Sequence, residues 1–304
     1  MRDASVRLAA LRPRSQPLML AKFASLPFDE WQGPCLLDSH FLERRNLAYD
    51  AAEYDFAGSI RAVLGCENLG DLHNEPPASP DVAPPALRRA QIQSRRGEPV
   101  TKAERKMART HAWRHDRTPE WRAFMELYRK FVHEWVLPQF GDGPLLYQRK
   151  PILRVVMPGS VAPTALHCDA DYFHSENELN FWVPLVAVDG RNSLYCESAP
   201  GAGDYSPFVS SGKGEAVRFY GNRCRHYTTA NDAETTRVSF DFRCIPQNLF
   251  SPPSEIVRQR SKHALDPGSA KRGYYALAYP GGGEAEAGVR VGEQRRAWRE
   301  LERA

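Results

Sequence analysis

Residues 166–185 read LHCDADYFHSENELNFWVPL, and two patterns meet in them. The second half, ELNFWVPL, has the aromatic and β-branched content of a buried strand. The first half sets His167 and Asp169 two positions apart. On an extended chain such residues share a face, so imidazole and carboxylate are expected to point together at one metal ion while Cys168 turns away. A His-x-Asp pair alone is a weak signal, common by chance and as ordinary strand-end structure, so the weight falls on what else the chain supplies.

Outward from this stretch, the chain from Gly141 and Gly143 to Ile245 reads as short β-forming runs separated by Gly, Pro, Asn and Asp: LLYQRKPILRVVM, ELNFWVPLVAV, NSLYCES, EAVRFY, RHYTTAN and TTRVSFDFRCI. Strands at that spacing indicate a sandwich or barrel. The region before them reads as helical. LERRNLAYDAAEYDFAGSIRAVLG, residues 42–65, is the clearest helix between Ser25 and Gly70, and NEPPASPDVAPP then breaks the pattern. Thr118-Pro119-Glu120 opens another helix, with Thr as N-cap, Pro at the first position and a stripe of Trp121, Phe124, Leu127, Tyr128, Phe131 and Trp135, ending near Pro138. The expected class is α+β, with a jelly-roll-like core buttressed by N-terminal helices.

One domain over residues 1–304 is expected: a helical part at 1–145 with a basic insertion at 84–117, a core at 146–250 carrying the metal site, and an extension at 251–304. From Leu87 to Arg117 only Glu98, Glu104 and Asp116 offset a run of Lys and Arg. Such a run is either solvated surface or a lid or docking face for an acidic substrate or carrier. The tail holds PGGGEAEAG and a short helix candidate, EQRRAWRELERA.

Over the whole chain 41 Lys and Arg nearly balance 37 Asp and Glu, which gives no reason to expect nucleic acid. No apolar run approaches the ~18 residues of a membrane span. The first 23 residues contain Arg and almost no acid, a pattern of either a transit peptide or a frayed terminus; a cytoplasmic protein is expected. Cys35, Cys66, Cys168, Cys196, Cys224 and Cys244 show no C-x-x-C spacing and read as reduced thiols.

Further along, His226 follows EAVRFY and a Gly-Asn turn, at the start of the next strand. Two histidines and one carboxylate on one face of an octahedral ion leave three positions open, as iron(II) needs to bind a cosubstrate and oxygen together; zinc or manganese would suit the ligands too. Alternation in TRVSFDFR places Arg237, Ser239, Asp241 and Arg243 on one face and Val238, Phe240 and Phe242 on the other. Arg237 is then a surface arginine or, with Ser239, a fork for a carboxylate. Arg154, Asn180 and Trp182, in flanking strands, and Tyr172 and Glu178 are equally open to packing or to contact with cosubstrate or substrate. Asp171 and His174 form a rival ligand pair in the same stretch.

His167-x-Asp169, then His226, then Arg237-x-Ser239 resembles the iron(II)/2-oxoglutarate dioxygenase superfamily, whose core is the double-stranded β-helix. HCDADYFHSENELNFWVPL, NSLYCESAPGAGDYSPF, GNRCRHYTTAN and TRVSFDFR together are similar to its StrG-type, phytanoyl-CoA-dioxygenase-like branch, over roughly Leu153 to Ile245. The resemblance implies that His167, Asp169 and His226 bind iron(II) and that Arg237, helped by Ser239, pairs with the distal carboxylate of 2-oxoglutarate. Asn180 and Arg154 are assigned to the cosubstrate, and Tyr172, His174, Trp182 and Arg243 to the substrate. Oxygen is the second cosubstrate, and 2-oxoglutarate would leave as succinate and carbon dioxide. Related halogenases carry a small residue at the position of Asp169, so its carboxylate points to hydroxylation, desaturation or ring closure. The implied substrate is a small polar metabolite of a biosynthetic pathway, acidic or carrier-bound in one reading. The alternatives are a cupin-like metalloenzyme that does not use 2-oxoglutarate and a non-catalytic jelly-roll module that binds through the basic segment.

Overall fold

The computed structural model describes residues 33–76, 118–160, 164–250 and 274–281, together with Leu87 and Gln91. In chain order the elements are α1 (Ser39–Leu42), β1 (Arg45–Ala48), α2 (Phe56–Leu64), α3 (Pro119–Phe131), β2 (Leu145–Gln148), β3 (Ile152–Val156), β4 (Leu179–Pro184), β5 (Leu194–Cys196), β6 (Ser206–Pro207), β7 (Glu215–Phe219), β8 (His226–Thr228), β9 (Arg237–Pro246) and β10 (Tyr275–Ala278). The class is α+β, as expected, and every strand pair is antiparallel. A seven-stranded sheet runs β1-β7-β4-β9-β2-β10, with β3 also on β9, and a three-stranded sheet runs β6-β5-β8.

β9 organises the larger sheet. On one side it pairs with β4 from Leu179↔Cys244 to Pro184↔Ser239. On the other it takes β3 along its first half, Val156↔Arg237 to Ile152↔Asp241, and β2 along its end, Leu145↔Pro246 to Tyr147↔Cys244. The expected alternation is present, and both faces are buried. Val238, Phe240, Phe242 and Cys244 join the core formed with the helices, while Arg237, Ser239, Asp241 and Arg243 line the opposite face.

α3 starts as its sequence predicts. Thr118 Oγ1 accepts the Trp121 amide at 3.2 Å, and Pro119 follows it into the first turn, where a missing N–H does no harm. The regular helix stops at Phe131, and a π-helical turn (Val132–Val136) and a 3-10 turn (Leu137–Phe140) carry the path past Pro138. Trp121, Phe124, Tyr128 and Phe131 are buried against β9 and α2, whereas Leu127 and Trp135 are only half-buried. Phe240 has the rings of Phe56 and Phe124 at 4.8 and 5.6 Å from its own. Phe240→Ala is therefore expected to cost about 3–5 kcal/mol, read as a lowered urea midpoint with an unchanged slope.

The long helix expected at residues 42–65 is not formed. Arg45–Ala48 instead pairs with the free edge of β7, and the helix covers only Phe56–Leu64, from an Asp55 cap to Gly65 at φ +67. An unpaired sheet edge outweighs a weak local helix preference. The short β6 and the C-terminal β10 were not anticipated either. The basic segment lies outside the described residues apart from Leu87 and Gln91, as do residues 1–32 and EQRRAWRELERA. No helix of the described residues is long and apolar enough to cross a membrane.

A second cluster fills the space between the two sheets, with Trp182, Val217 and Phe219 from the larger, Leu194 and Cys196 from the smaller, and Phe208 just after β6. The polar face of β9 borders this space, and β8 brings His226 to its rim.

Candidate metal centre

His167 and His226 are joined through their backbones. His167 N donates to His226 O at 3.1 Å and His226 N to His167 O at 2.8 Å, an isolated bridge between β8 and the preceding loop. The bridge sets the rings with centroids 4.3 Å apart. Each Nδ1 lies on a carbonyl, Ala165 O at 2.7 Å and Cys224 O at 3.0 Å. A carbonyl can only accept, so both Nδ1 atoms carry the proton and both Nε2 lone pairs are free for a metal.

Asp169 arrives by a different route from the one expected. The chain is not extended through it: Asp169 begins a 3-10 turn, Asp169–Tyr172. Its amide is anchored to Gly221 O at 2.8 Å and the next amide to Asn222 O at 3.2 Å, so the turn after β7 places the carboxylate. A Cβ on Gly221 would sit 2.7 Å from Asn180 Oδ1, which is why a glycine stands there. The Asp169 Oδ1 atom lies 3.7 Å from His167 Nε2 and 3.8 Å from His226 Nε2. The three ligand atoms lie within 4.8 Å of one another, and all three residues are buried.

The carboxylate is held on its far side. Arg243 Nε donates to Oδ2 at 2.8 Å and Nη2 to Oδ1 at 3.1 Å, and Asn180 Nδ2 donates to Oδ2 at 2.6 Å. Burial pushes the Asp169 carboxyl up, but the Arg243 guanidinium with the nearby imidazoles outweighs it and holds the group well below the usual carboxylate range. Burial first, then the neighbouring His167, draws His226 down to about 4, so its ring is neutral at physiological pH. An ionised carboxylate beside a neutral Nε2 donor is the state in which these groups ligate.

On the same face of β9, Arg237 is 1% exposed, and among the described residues the one hydrogen bond of its side chain is from Nη1 to Asn192 O at 3.3 Å. Its Nε and Nη2 have no hydrogen-bond partner among the described residues, nor has the hydroxyl of Ser239, which is 0% exposed. Burial and then the like charge of Arg154 lower the Arg237 pKa to about 9, with Asp241 opposing. Three donors left without acceptors in the interior cost free energy that an anionic acceptor would relieve.

No family model matches the chain. Among curated proteins, the Streptomycin biosynthesis protein StrG of Streptomyces griseus is 30% identical over 208 residues, which is 68% of this chain and 86% of the relative. This chain belongs to the StrG family. Solved structures with similar shape share less. The non-heme monooxygenase ThoJ as its nickel complex has a TM-score of 0.37 and 13% identity, covering 68% of this chain and 76% of that one. The α-ketoglutarate-dependent epimerase SnoN from nogalamycin biosynthesis has 0.37 and 18%, covering 52% and 70%. CytC3 with Fe(II) and α-ketoglutarate has 0.35 and 14%, covering 76% and 77%.

The other sequence-predicted residues of this StrG family member fall into distinct places. Arg154, opposite Ser239 in the sheet, is paired through Nε with Asp241 at 2.5 Å and bonds Thr164 Oγ1 at 3.4 Å. Asn180 and Arg243 both lie on Asp169 and not in open space. Trp182 is 3% exposed in the cluster between the sheets, with Phe208 at 5.7 Å. His174 Nδ1 lies 2.6 Å from Glu178 Oε2, and Asp171 Oδ2 accepts the Cys168 amide at 3.0 Å, so neither joins the triad. Tyr172 is 48% exposed and edge-on to His167 at 5.2 Å, and Leu166, next to His167 in sequence, is 37% exposed. Gln148 and Tyr274, which contact Arg243, carried no sequence motif.

Proposed function

We propose that this StrG family member is an iron(II)/2-oxoglutarate-dependent oxygenase that hydroxylates a C–H bond of a small polar metabolite. The observation that carries this reading is the pair Arg237 and Ser239, buried with unpartnered donors on the face that also bears Arg243 and, through it, Asp169. A dicarboxylate that reaches from the metal to a guanidinium fits both needs. The two packed sheets are read as the double-stranded β-helix of this superfamily, in one oxygenase domain spanning residues 1–304, in the cytoplasm. The name of the StrG relative speaks of streptomycin biosynthesis, and a natural-product pathway is the matching proposal here.

Bound iron with 2-oxoglutarate and oxygen would supply the oxidant for the C–H bond, the cosubstrate leaving as succinate and carbon dioxide. The protein's own part is placement. His167, Asp169 and His226 would hold the metal from one side, leaving the opposite side for the cosubstrates. Arg237, with Ser239 beside it, would orient the distal carboxylate by charge-assisted hydrogen bonds in a site closed to water. Tyr172 and Leu166 would meet the substrate at the rim, and the cluster of Trp182 and Phe208 would close the interior behind it. The carboxylate at position 169 occupies the place that a halide would need, which supports hydroxylation.

The test requires no substrate. Iron(II) and then 2-oxoglutarate are added to the apo-protein without oxygen, and the visible charge-transfer band of a chelated keto acid is followed. The wild type is expected to show the band, Arg237→Ala to weaken it and His167→Ala to lose it. A folded, metal-bound wild type with no band sinks the 2-oxoglutarate reading in favour of a cupin-like metalloenzyme.

A further inference from the structure

The Arg243 guanidinium uses Nε and Nη2 on Asp169, and its Nη1 points away from the metal ligands. Nη1 lies 3.4 Å from Tyr274 Oη and 3.3 Å from Gln148 Oε1, and Tyr274 Oη donates to that same Oε1 at 2.8 Å. Gln148 Nε2 is fixed on Lys150 O at 2.8 Å, so the oxygen of the amide is the end turned toward Arg243. The donors and acceptors agree in direction: Arg243 donates to the Tyr274 oxygen, Tyr274 donates to Gln148, and no member is left without a complement.

Tyr274 immediately precedes β10, which pairs with β2 in the register Tyr275↔Gln148. The strand is fixed there by independent contacts. Arg149 N donates to Tyr274 O at 2.8 Å, and Tyr275 Oη donates to the buried Glu178 at 2.6 Å. Leu277 and Tyr275 pack with Leu146 and Ile245 in an apolar cluster of their own. β10 is thus a rigid mount, and Tyr274 carries its position inward to Arg243.

We propose that Tyr274 is a positioning residue of the metal centre: with Gln148 it fixes Arg243, and Arg243 in turn fixes Asp169 as a one-oxygen ligand, so that a strand beyond residue 273 completes the site. Oδ2 accepts from both Arg243 Nε and Asn180, whereas Oδ1 accepts only from Arg243 Nη2 and keeps a lone pair toward the two imidazoles. Without the Tyr274 hydroxyl, Nη1 keeps only Gln148 Oε1 at 3.3 Å and the Asp241 carboxylate at 3.7 Å, and the loosened fork would swing about the Asp169 contact and take the carboxylate with it. Partners behind a ligand typically change metal affinity by ~10- to 100-fold when removed.

The inference rests on the metal-centre reading, and the test separates the two. Cobalt(II) is titrated into the full-length apo-protein and its visible d–d absorption gives the affinity, with neither 2-oxoglutarate nor turnover required. Tyr274→Phe is expected to weaken cobalt(II) binding roughly 10-fold and Arg243→Gln roughly 100-fold. The double variant should bind no more weakly than Arg243→Gln alone, because Tyr274 acts through Arg243. Should Arg243→Gln fail to fold, Gln148→Leu takes its place with the same non-additivity expected. Wild-type affinity in Tyr274→Phe, or losses that simply add in the double variant, overturns the inference while the metal centre stands. A wild type that binds no cobalt(II) overturns the metal centre itself, and the inference with it.

Discussion

Asp169→Ala is expected to abolish turnover and, in the same protein without metal, to lower stability by about 3–5 kcal/mol. The first effect follows from the loss of the carboxylate whose Oδ1 lies 3.7 and 3.8 Å from the two Nε2 donors. The second follows from what remains. Arg243 is 7% exposed and loses the acceptor of two hydrogen bonds, so its guanidinium stays buried with only the Asp241 carboxylate, already paired with Arg154, at 3.7 Å. Removing one partner of a buried pair costs more than the pair contributes, since the other charge keeps its desolvation penalty. Turnover measured with added iron(II) reads the first effect, with iron(II) or cobalt(II) titration showing its cause, and denaturation of the apo-protein reads the second. A ligand that served the metal alone would leave apo-protein stability unchanged.

The same pair gives the pH dependence of the apo-protein a sign. The folded-state pKa of Asp169 is depressed, chiefly by Arg243 acting against burial. Its stabilising contribution is therefore fully present above the unfolded-state value of about 4 and fades only as pH falls through the lower folded value.

Arg237→Leu is expected to raise the KM for 2-oxoglutarate on the order of 100-fold while metal affinity stays close to wild type. Truncating one side of a buried, hydrogen-bonded charge pair costs ~2–5 kcal/mol, and each 1.4 kcal/mol is about tenfold. Arg237 has one carbonyl contact and two nitrogens without partners, so the leucine variant gives up no internal ion pair, and the fold is expected to survive it. Its guanidinium already sits at a depressed pKa because burial and Arg154 disfavour its charge. A bound dianion would reverse that balance. Steady-state kinetics with 2-oxoglutarate as the varied substrate distinguish this from a loss of metal, which an excess of iron(II) would correct. An unchanged KM would return Arg237 to a purely structural role.

Much of this was readable before any contact was known, because it depends on neighbours in sequence. Alternation along residues 237–243 separated the aromatic face from the polar face, and a Thr-Pro start placed α3 within a residue. The StrG likeness came from phrases in the strand-rich half. The structure departs from local preference where a distant partner overrides it. Residues 45–48 became a strand because β7 offered an edge, and His167-x-Asp169 shares a direction through a bridge to His226 and an anchor on Gly221, not through an extended chain.

The sequence by itself determined the inventory: which side chains share the polar face of β9, which histidines and which carboxylate are available, and that helices precede a strand-rich core. Periodicity and capping are properties of adjacent residues, so they survive without coordinates. Tertiary structure decided the division of labour within that inventory. Arg243 and Arg237 lie on one face of one strand and look alike in sequence, yet one is paired to Asp169 and the other keeps free donors. The difference arises because β4 and the Asp169 turn bring a carboxylate to the end of β9 near Arg243, whereas Arg237 at its start meets one carbonyl. Electrostatics depend on distance through space, and only the folded chain sets that distance.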